Sequence, residues 1–259
     1  MMSFRSFASP SIRTGSFCRR PASSYTVNST RRRERRVESS IGARGTSLAP
    51  QRVVANAVVV NAEELVRDLF VFGGSAGGIE ALLGVLRRLP PDLPATIGVA
   101  LHRSPEFASQ LAAVLGRIVP LPVSEPKDGE QLEIAHVYLA PRDVHMTIED
   151  ERWRLTRDPK VHRMRPAVDP LFASAAGARG PRVAGILLSG GGADGAEGLI
   201  AITGKGGLSI VQRPDEAQQP SMPLNALRED DVDAALRTEE IAEMLPLLAA
   251  GRPFTHPRR

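Results

Sequence analysis

Cysteine is almost missing from this 259-residue chain: Cys18 stands alone. A single thiol forms no internal disulfide, and a cysteine-ligated metal centre is excluded with it. No apolar run reaches the roughly 18 residues that a membrane-spanning helix needs. Membrane insertion is therefore not expected, nothing calls for an oxidising compartment, and a cytoplasmic location is the expectation. Acidic residues are absent from the first 33 positions and lysine from the first 52. Those 52 residues hold 11 arginines against 2 acids, a charge of +9, whereas residues 53–259 hold 22 basic and 27 acidic side chains, a charge of −5. The overall +4 thus describes the tail and not the remainder of the chain. From residue 53 onward there is also no basic stripe interleaved with aromatics, which argues against a nucleic-acid partner.

Residues 1–52 are rich in Ser, Arg, Gly and Pro and carry almost no hydrophobic periodicity. Such a segment buries too little apolar surface to offset its ordering entropy, so disorder is expected. The run Arg31-Arg32-Arg33-Glu34-Arg35-Arg36 reads first as a solvated tail and second as a contact for nucleic acid or an anionic surface. The acid-free, Arg- and Ser-rich beginning resembles an organellar transit peptide. Translation starting near Val58–Val60 is the competing expectation, and peptide mapping of the natural N-terminus separates the two.

Regular patterning begins at Leu69. Short apolar runs predict strands over 69–72, 96–101, 121–124, 136–140, 183–189, 208–211 and 233–236. Helical spacing predicts helices over 78–89, 106–118, 170–179, from about 195, over 222–227 and over 239–249, the last with Thr238 as N-cap. A hairpin is expected from 145–149 and 153–157 around the charged turn Asp150-Glu151-Arg152, with Trp153 as a packing anchor. Strands alternating with helices imply an α/β fold: a doubly wound, mostly parallel sheet with helices on both faces, three layers in all, plus the hairpin. No internal repeat is present.

Three loops, each just past a buried strand, carry candidate chemistry. The first, Gly73-Gly74-Ser75-Ala76-Gly77, fits G-x-S-x-G, the pattern of a nucleophilic serine on a strand-to-helix turn. Glycine turns of this kind also bind phosphate or simply permit close packing, so the turn by itself leaves both readings open. The second loop carries His102 and the third Asp194. A serine hydroxyl needs a histidine to take its proton, and the histidine needs a carboxylate to fix its tautomer. Taken singly, His102 reads as a surface or capping residue and Asp194 as a helix cap. In an open parallel sheet, however, all three loops fall on the edge that forms the ligand crevice. Gly190-Gly191-Gly192-Ala193-Asp194-Gly195 also fits G-x-G-x-x-G, with Asp215 about 20 residues on, which keeps a nucleotide-binding reading alive.

Several stretches together resemble the catalytic domain of the CheB chemotaxis methylesterases, over about Leu69 to Ala250. They are Gly73-Gly74-Ser75-Ala76-Gly77-Gly78, Leu101-His102-Arg103-Ser104-Pro105, Ala140-Pro141-Arg142-Asp143-Val144-His145-Met146, Arg165-Pro166-Ala167-Val168-Asp169-Pro170-Leu171-Phe172, Leu188-Ser189-Gly190-Gly191-Gly192-Ala193-Asp194-Gly195-Ala196 and Met222-Pro223. The resemblance implies Ser75 as nucleophile, His102 as base and Asp194 as orienting acid, with the backbone N–H groups of Ala76 and Gly191 meeting the oxyanion. It implies hydrolysis of glutamyl methyl esters on the signalling helices of methyl-accepting chemotaxis receptors or a related signalling protein, with methanol released, and deamidation of receptor glutamines in some members. It implies no metal or organic cofactor. His145, Met146, Arg163 and Arg165 match family positions and are candidates for substrate binding, with packing and turn roles as the alternative.

Three departures stand out. The family's serine is usually followed by threonine, here Ala76, and its Gly-Met-Gly-Asn-Asp is Gly190-Gly191-Gly192-Ala193-Asp194 here. Weaker preorganisation of the oxyanion site is the expected result. Family members usually carry a receiver domain of about 120 residues. Only 68 residues precede the first strand, so no receiver is expected. These departures keep a second function open, a catalytically weak module that docks on receptor helices. The sequence leaves the oligomeric state unassigned.

Overall fold

All six residues of the first central strand, Leu69–Gly74, are apolar or glycine, and the structure buries every one. The computed structural model describes residues 57–60, 64–103, 110–230 and 232–257; the expected tail, residues 1–52, lies outside them. The strands are β1 (Ala57–Val60), β2 (Leu69–Gly74), β3 (Thr96–Leu101), β4 (Val123–Ser124), β5 (His136–Leu139), β6 (His145–Glu149), β7 (Arg152–Thr156), β8 (Val183–Leu187), β9 (Leu208–Gln212), β10 (Ala234–Leu236) and β11 (Phe254–Pro257). The helices are α1 (Gly78–Leu86), α2 (Leu111–Leu115), α3 (Val168–Arg179), α4 (Ala196–Gly204), α5 (Ser221–Glu229) and α6 (Thr238–Ala249). Seven strands form one parallel sheet in the order β10-β9-β8-β2-β3-β5-β4.

Alternation along the strands divides the core into two layers, as period-2 side-chain placement requires. Phe70 and Phe72 of β2, with Ile97 and Val99 of β3, pack with Leu82 and Val85 of α1 and Ile241 and Leu245 of α6. Leu69 and Val71 face the other way, toward Leu171 and Phe172 of α3, Leu199 of α4 and Met222 of α5. The hairpin β6–β7 covers the end of this second layer. Its loop is the two residues Asp150 and Glu151, at φ 49° and 62°, a pairing whose twist matches that of the flanking strands. Trp153 lies buried with its ring 5.0 Å from Tyr138, over Gly98, where a Cβ would meet the indole at 2.9 Å.

The expected doubly wound, three-layer sheet with its hairpin is what the chain forms. Differences lie at element ends. Of the helix expected over 106–118, the described residues form α2 over Leu111–Leu115, and residues 104–109 lie outside them. The helix expected from Pro170 starts at Val168, because proline is tolerated in a first turn whose N–H groups have no intrahelical acceptor. Thr238 is the first residue of α6 and not its cap; Arg237 takes the cap position, and the Glu240 carboxylate accepts the Arg237 N–H at 2.8 Å. Thr238 instead donates its hydroxyl to Glu216 at 3.0 Å. The antiparallel pair β1–β11 was not expected, since its strands lie at opposite ends of the described chain and carry no turn signal between them.

Candidate active site

The three loops come from adjacent strands. Ser75 follows β2, His102 follows β3 and Asp194 lies beyond β8, and β8-β2-β3 is the centre of the sheet, where connections diverge to either side. That is the topological switch point at which open α/β sheets bind ligands. The ladder itself runs into the loops. Leu188 N–H donates to Gly73 at 2.8 Å, Ser75 N–H to Ser189 at 2.9 Å and His102 N–H to Gly74 at 3.0 Å. The N–H of Ser75 is thereby spent, whereas those of Ala76 and Gly191 have no acceptor among the described residues.

The glycines of the serine turn have separate tasks. A Cβ on Gly73 would overlap Val168, the first residue of α3. Gly77 sits at φ 76°, the left-handed conformation that turns the chain into α1. Gly190 lets its loop lie directly against Ser75 and Met222. Gly191 has open space around it, so nothing steric demands glycine there.

Asp194 is placed by helix ends. Because α3 begins at Val168, the N–H groups of Val168 and Asp169 need acceptors, and the Asp194 carboxylate accepts both, at 2.8 and 3.0 Å. Asp169 returns the arrangement: its carboxylate accepts the N–H groups of Gly195 and Gly198 at 2.9 and 2.7 Å, at the start of α4. Each aspartate caps the other's neighbouring helix, and the two carboxylates end side by side. The remaining contact of Asp194 is His102, whose Nε2 lies 2.6 Å from Oδ2, with both side chains almost wholly buried. Asp169 meets His162 at 3.1 Å on its outer side.

These contacts set the charges. Burial opposes ionisation of Asp194, but the hydrogen bond from His102 and those from the Val168 and Asp169 amides outweigh it and hold the carboxyl below its usual value. Burial and the Asp194 charge push Asp169 up to about 6, against the pull of the Gly198 and Gly195 amides. As pH falls, the first proton taken up by the pair goes to Asp169, and Asp194 stays ionised. Nε2 of His102 then donates to Asp194, which leaves the Nδ1 lone pair as the basic atom.

A cavity of about 220 Å³ is lined by Ser75, His102, Arg103, Lys160, Arg163, Met164 and Arg165. Of the residues singled out in the sequence, Ser75, His102, Arg163 and Arg165 meet there, with Asp194 behind His102. His145 and Met146 are buried and stand outside its lining. His145 instead lies between two segments, with Nε2 3.2 Å from the Pro159 carbonyl and Nδ1 3.4 Å from the Ala167 amide nitrogen. Sequence reasoning missed Lys160, Met164 and Asp169 as parts of the site; the density of bases between Arg157 and Arg165 was the available signal. The nucleotide reading of Gly190–Gly195 finds no vacancy at the start of α4, where Asp169 already holds the free amides. His162, Asp169 and Asp194 also group three oxygen and nitrogen donors within 4.8 Å, but each is engaged as described above.

Fold and site together define a doubly wound α/β protein with a serine and a histidine–aspartate pair at its switch point, where the Ala76 and Gly191 amides have no acceptor among the described residues. The CheB methylesterase family model matches residues 70–245, and the chain belongs to that family. It is 39% identical over 178 residues to protein-glutamate methylesterase/protein-glutamine glutaminase 2 of Anaeromyxobacter dehalogenans, covering 69% of this chain and 52% of that one. It is 37% identical over 186 residues to the corresponding protein 1 of Xanthomonas campestris pv. campestris, covering 70% and 52%. The chain thus spans about half the length of these curated relatives. Among solved structures it is similar to the Thermotoga maritima CheB methylesterase catalytic domain, with a TM-score of 0.67 and 30% identity, over 71% of this chain and 100% of that one. Among the described residues no helix is long and apolar enough to cross a membrane.

Proposed function

We propose that the protein is a serine hydrolase that demethylates glutamyl methyl esters on a methyl-accepting chemotaxis receptor or related signalling protein, and deamidates glutamine in the same setting. The observation that carries this is the His102–Asp194 pair, joined at 2.6 Å, sharing one cavity with Ser75. Family membership and the names of the relatives support the substrate class.

In this reading Nδ1 of His102 takes the proton of Ser75 Oγ as that oxygen attacks the ester carbonyl. The resulting oxyanion is met by the N–H groups of Ala76 and Gly191, neither of which has an acceptor among the described residues. His102 returns the proton to the departing methoxide, and methanol leaves. Water, deprotonated by the same nitrogen, cleaves the acyl-enzyme and frees the glutamate. Asp194 keeps Nε2 protonated and stabilises the imidazolium throughout. Arg165 holds the segment that walls the cavity, donating to Asp143 at 2.8 and 3.0 Å and to the carbonyls of Arg157 and Asp158, both at 2.9 Å.

The deciding experiment is methanol release from a methylated receptor signalling domain, comparing the wild type with Ser75→Ala. Loss of nearly all release in the variant is expected. Retention of most of it overturns the mechanism.

A further inference from the structure

The charge around Ser75 is opposite in sign to the rest of its domain. From residue 53 onward the chain carries −5, yet the cavity holding Ser75 and His102 is lined by four cations and no acid. A cleft of one sign focuses its field on whatever approaches it. Two of the four cations are already committed. Arg103 donates through both terminal nitrogens to Glu125 at 3.1 Å and also to the Ala140 carbonyl. Arg165 is committed to Asp143 and to two backbone carbonyls. Asp143 lies below its usual carboxyl range, chiefly through the hydrogen bond from Arg165, with Lys160 adding only at longer range. Lys160 and Arg163 make no ion pair or hydrogen bond among the described residues.

The backbone around them is held in place. The segment that carries them is buckled by Arg165 at one end and closed by a tight turn, in which Met164 N–H donates to Val161 at 2.8 Å. The two central residues of that turn, His162 and Arg163, stand at φ 48° and 65°. With the Val161–Met164 bridge they form a two-residue reverse turn of the same kind as Asp150-Glu151. The turn sets Arg163 on the wall of the cavity beside the catalytic pair.

We propose that Lys160 and Arg163 are specificity determinants that bind carboxylates flanking the esterified glutamate, so that the preferred substrate is an acidic segment rather than an isolated ester. The guanidinium of Arg163 suits a carboxylate bidentately, and the Lys160 ammonium acts as a point charge beside it. This rests on the esterase reading for its chemistry but not for its test.

Two helical peptides serve as probes, identical except for Glu or Gln on either side of a central glutamyl methyl ester. Their affinities are measured by fluorescence anisotropy for the full chain bearing Ser75→Ala, which leaves the ester intact. The acidic peptide is expected to bind about tenfold tighter at low salt, the order that two exposed charge pairs supply at most. The gap is expected to narrow at about 0.5 M salt, where screening is strong. It is expected to vanish when Lys160→Gln and Arg163→Gln are added. Equal affinities, or a preference that survives the double substitution, overturn the inference. Methanol release from the same two peptide esters by the wild type, compared with Ser75→Ala, tests the esterase reading separately. Serine-dependent hydrolysis without charge preference rejects only the inference. Charge preference without serine-dependent hydrolysis sustains it and rejects the esterase reading.

Discussion

Asp194→Asn separates what the carboxylate does for catalysis from what it does for the fold. Its three partners, His102 Nε2, Val168 N–H and Asp169 N–H, are all donors at 2.6, 2.8 and 3.0 Å. An asparagine of the same shape must turn its NH₂ toward at least one of them. If the NH₂ faces Asp169, a buried backbone donor is left unmet, at about 1–3 kcal/mol. If it faces His102, Val168 loses its acceptor at similar cost, and the histidine is driven to the tautomer with Nδ1 protonated and useless as a base. Neither orientation keeps a charge to stabilise the imidazolium. Stability should fall by about 1–3 kcal/mol and kcat by about 10²–10⁴, with KM little changed, since the carboxylate does not line the cavity. Methanol release gives the rate, and urea unfolding gives the stability. A variant with kcat within a factor of about three of wild type would refute the role assigned to Asp194. One with lowered kcat but wild-type stability would refute the capping argument.

The same contacts carry three further outcomes. Asp169→Asn retains an acceptor for Gly195 and Gly198 but removes the raised acid. A carboxyl whose folded value stands above 3.8, at about 6, takes up a proton on folding between those limits, so it makes the wild type lose stability as pH rises through that window. The variant should lose this slope, worth at most about 3 kcal/mol, and melting curves from about pH 4 to 7 with the same slope in both proteins would contradict it. Gly190→Ala drives a methyl group into Met222 and Ser75, and kcat should drop at least about tenfold, whereas free tolerance in the ester assay would dismiss the close approach as functionally irrelevant. Gly191→Met meets open space and restrains a loop that bears an oxyanion donor, so turnover should rise; an unchanged or lower rate on the methylated receptor domain speaks against that donor.

Much of the site could be read from the chain because its signals are local. Gly73–Gly77 carries its strand–turn–helix signal within five residues, and buried parallel strands announce themselves as short apolar runs. Thr96–Leu101 needed no adjustment for that reason. Ends were harder, because a helix terminus is settled by whichever acceptor reaches it. Residue 170 looked like the start of α3 from its proline, but the Asp194 carboxylate draws the first turn back to Val168. The pair β1–β11 left no local mark at all, since each strand supplies the other's hydrogen bonds across nearly the whole domain.

Residue types and spacing by themselves determined the layered α/β fold, the three loops and the identity of the candidate serine, histidine and aspartate. Periodicity and glycine chemistry act over a few helical turns at most, so they are written in the chain. Tertiary structure alone decided that Asp194 and Asp169 cap each other's helices. It alone separated cations already paired from those facing the cavity, and put His145 and Met146 behind the wall instead of in it. Those outcomes depend on which polar groups meet across long stretches of intervening chain, and a donor's partner is chosen by packing, not by sequence distance.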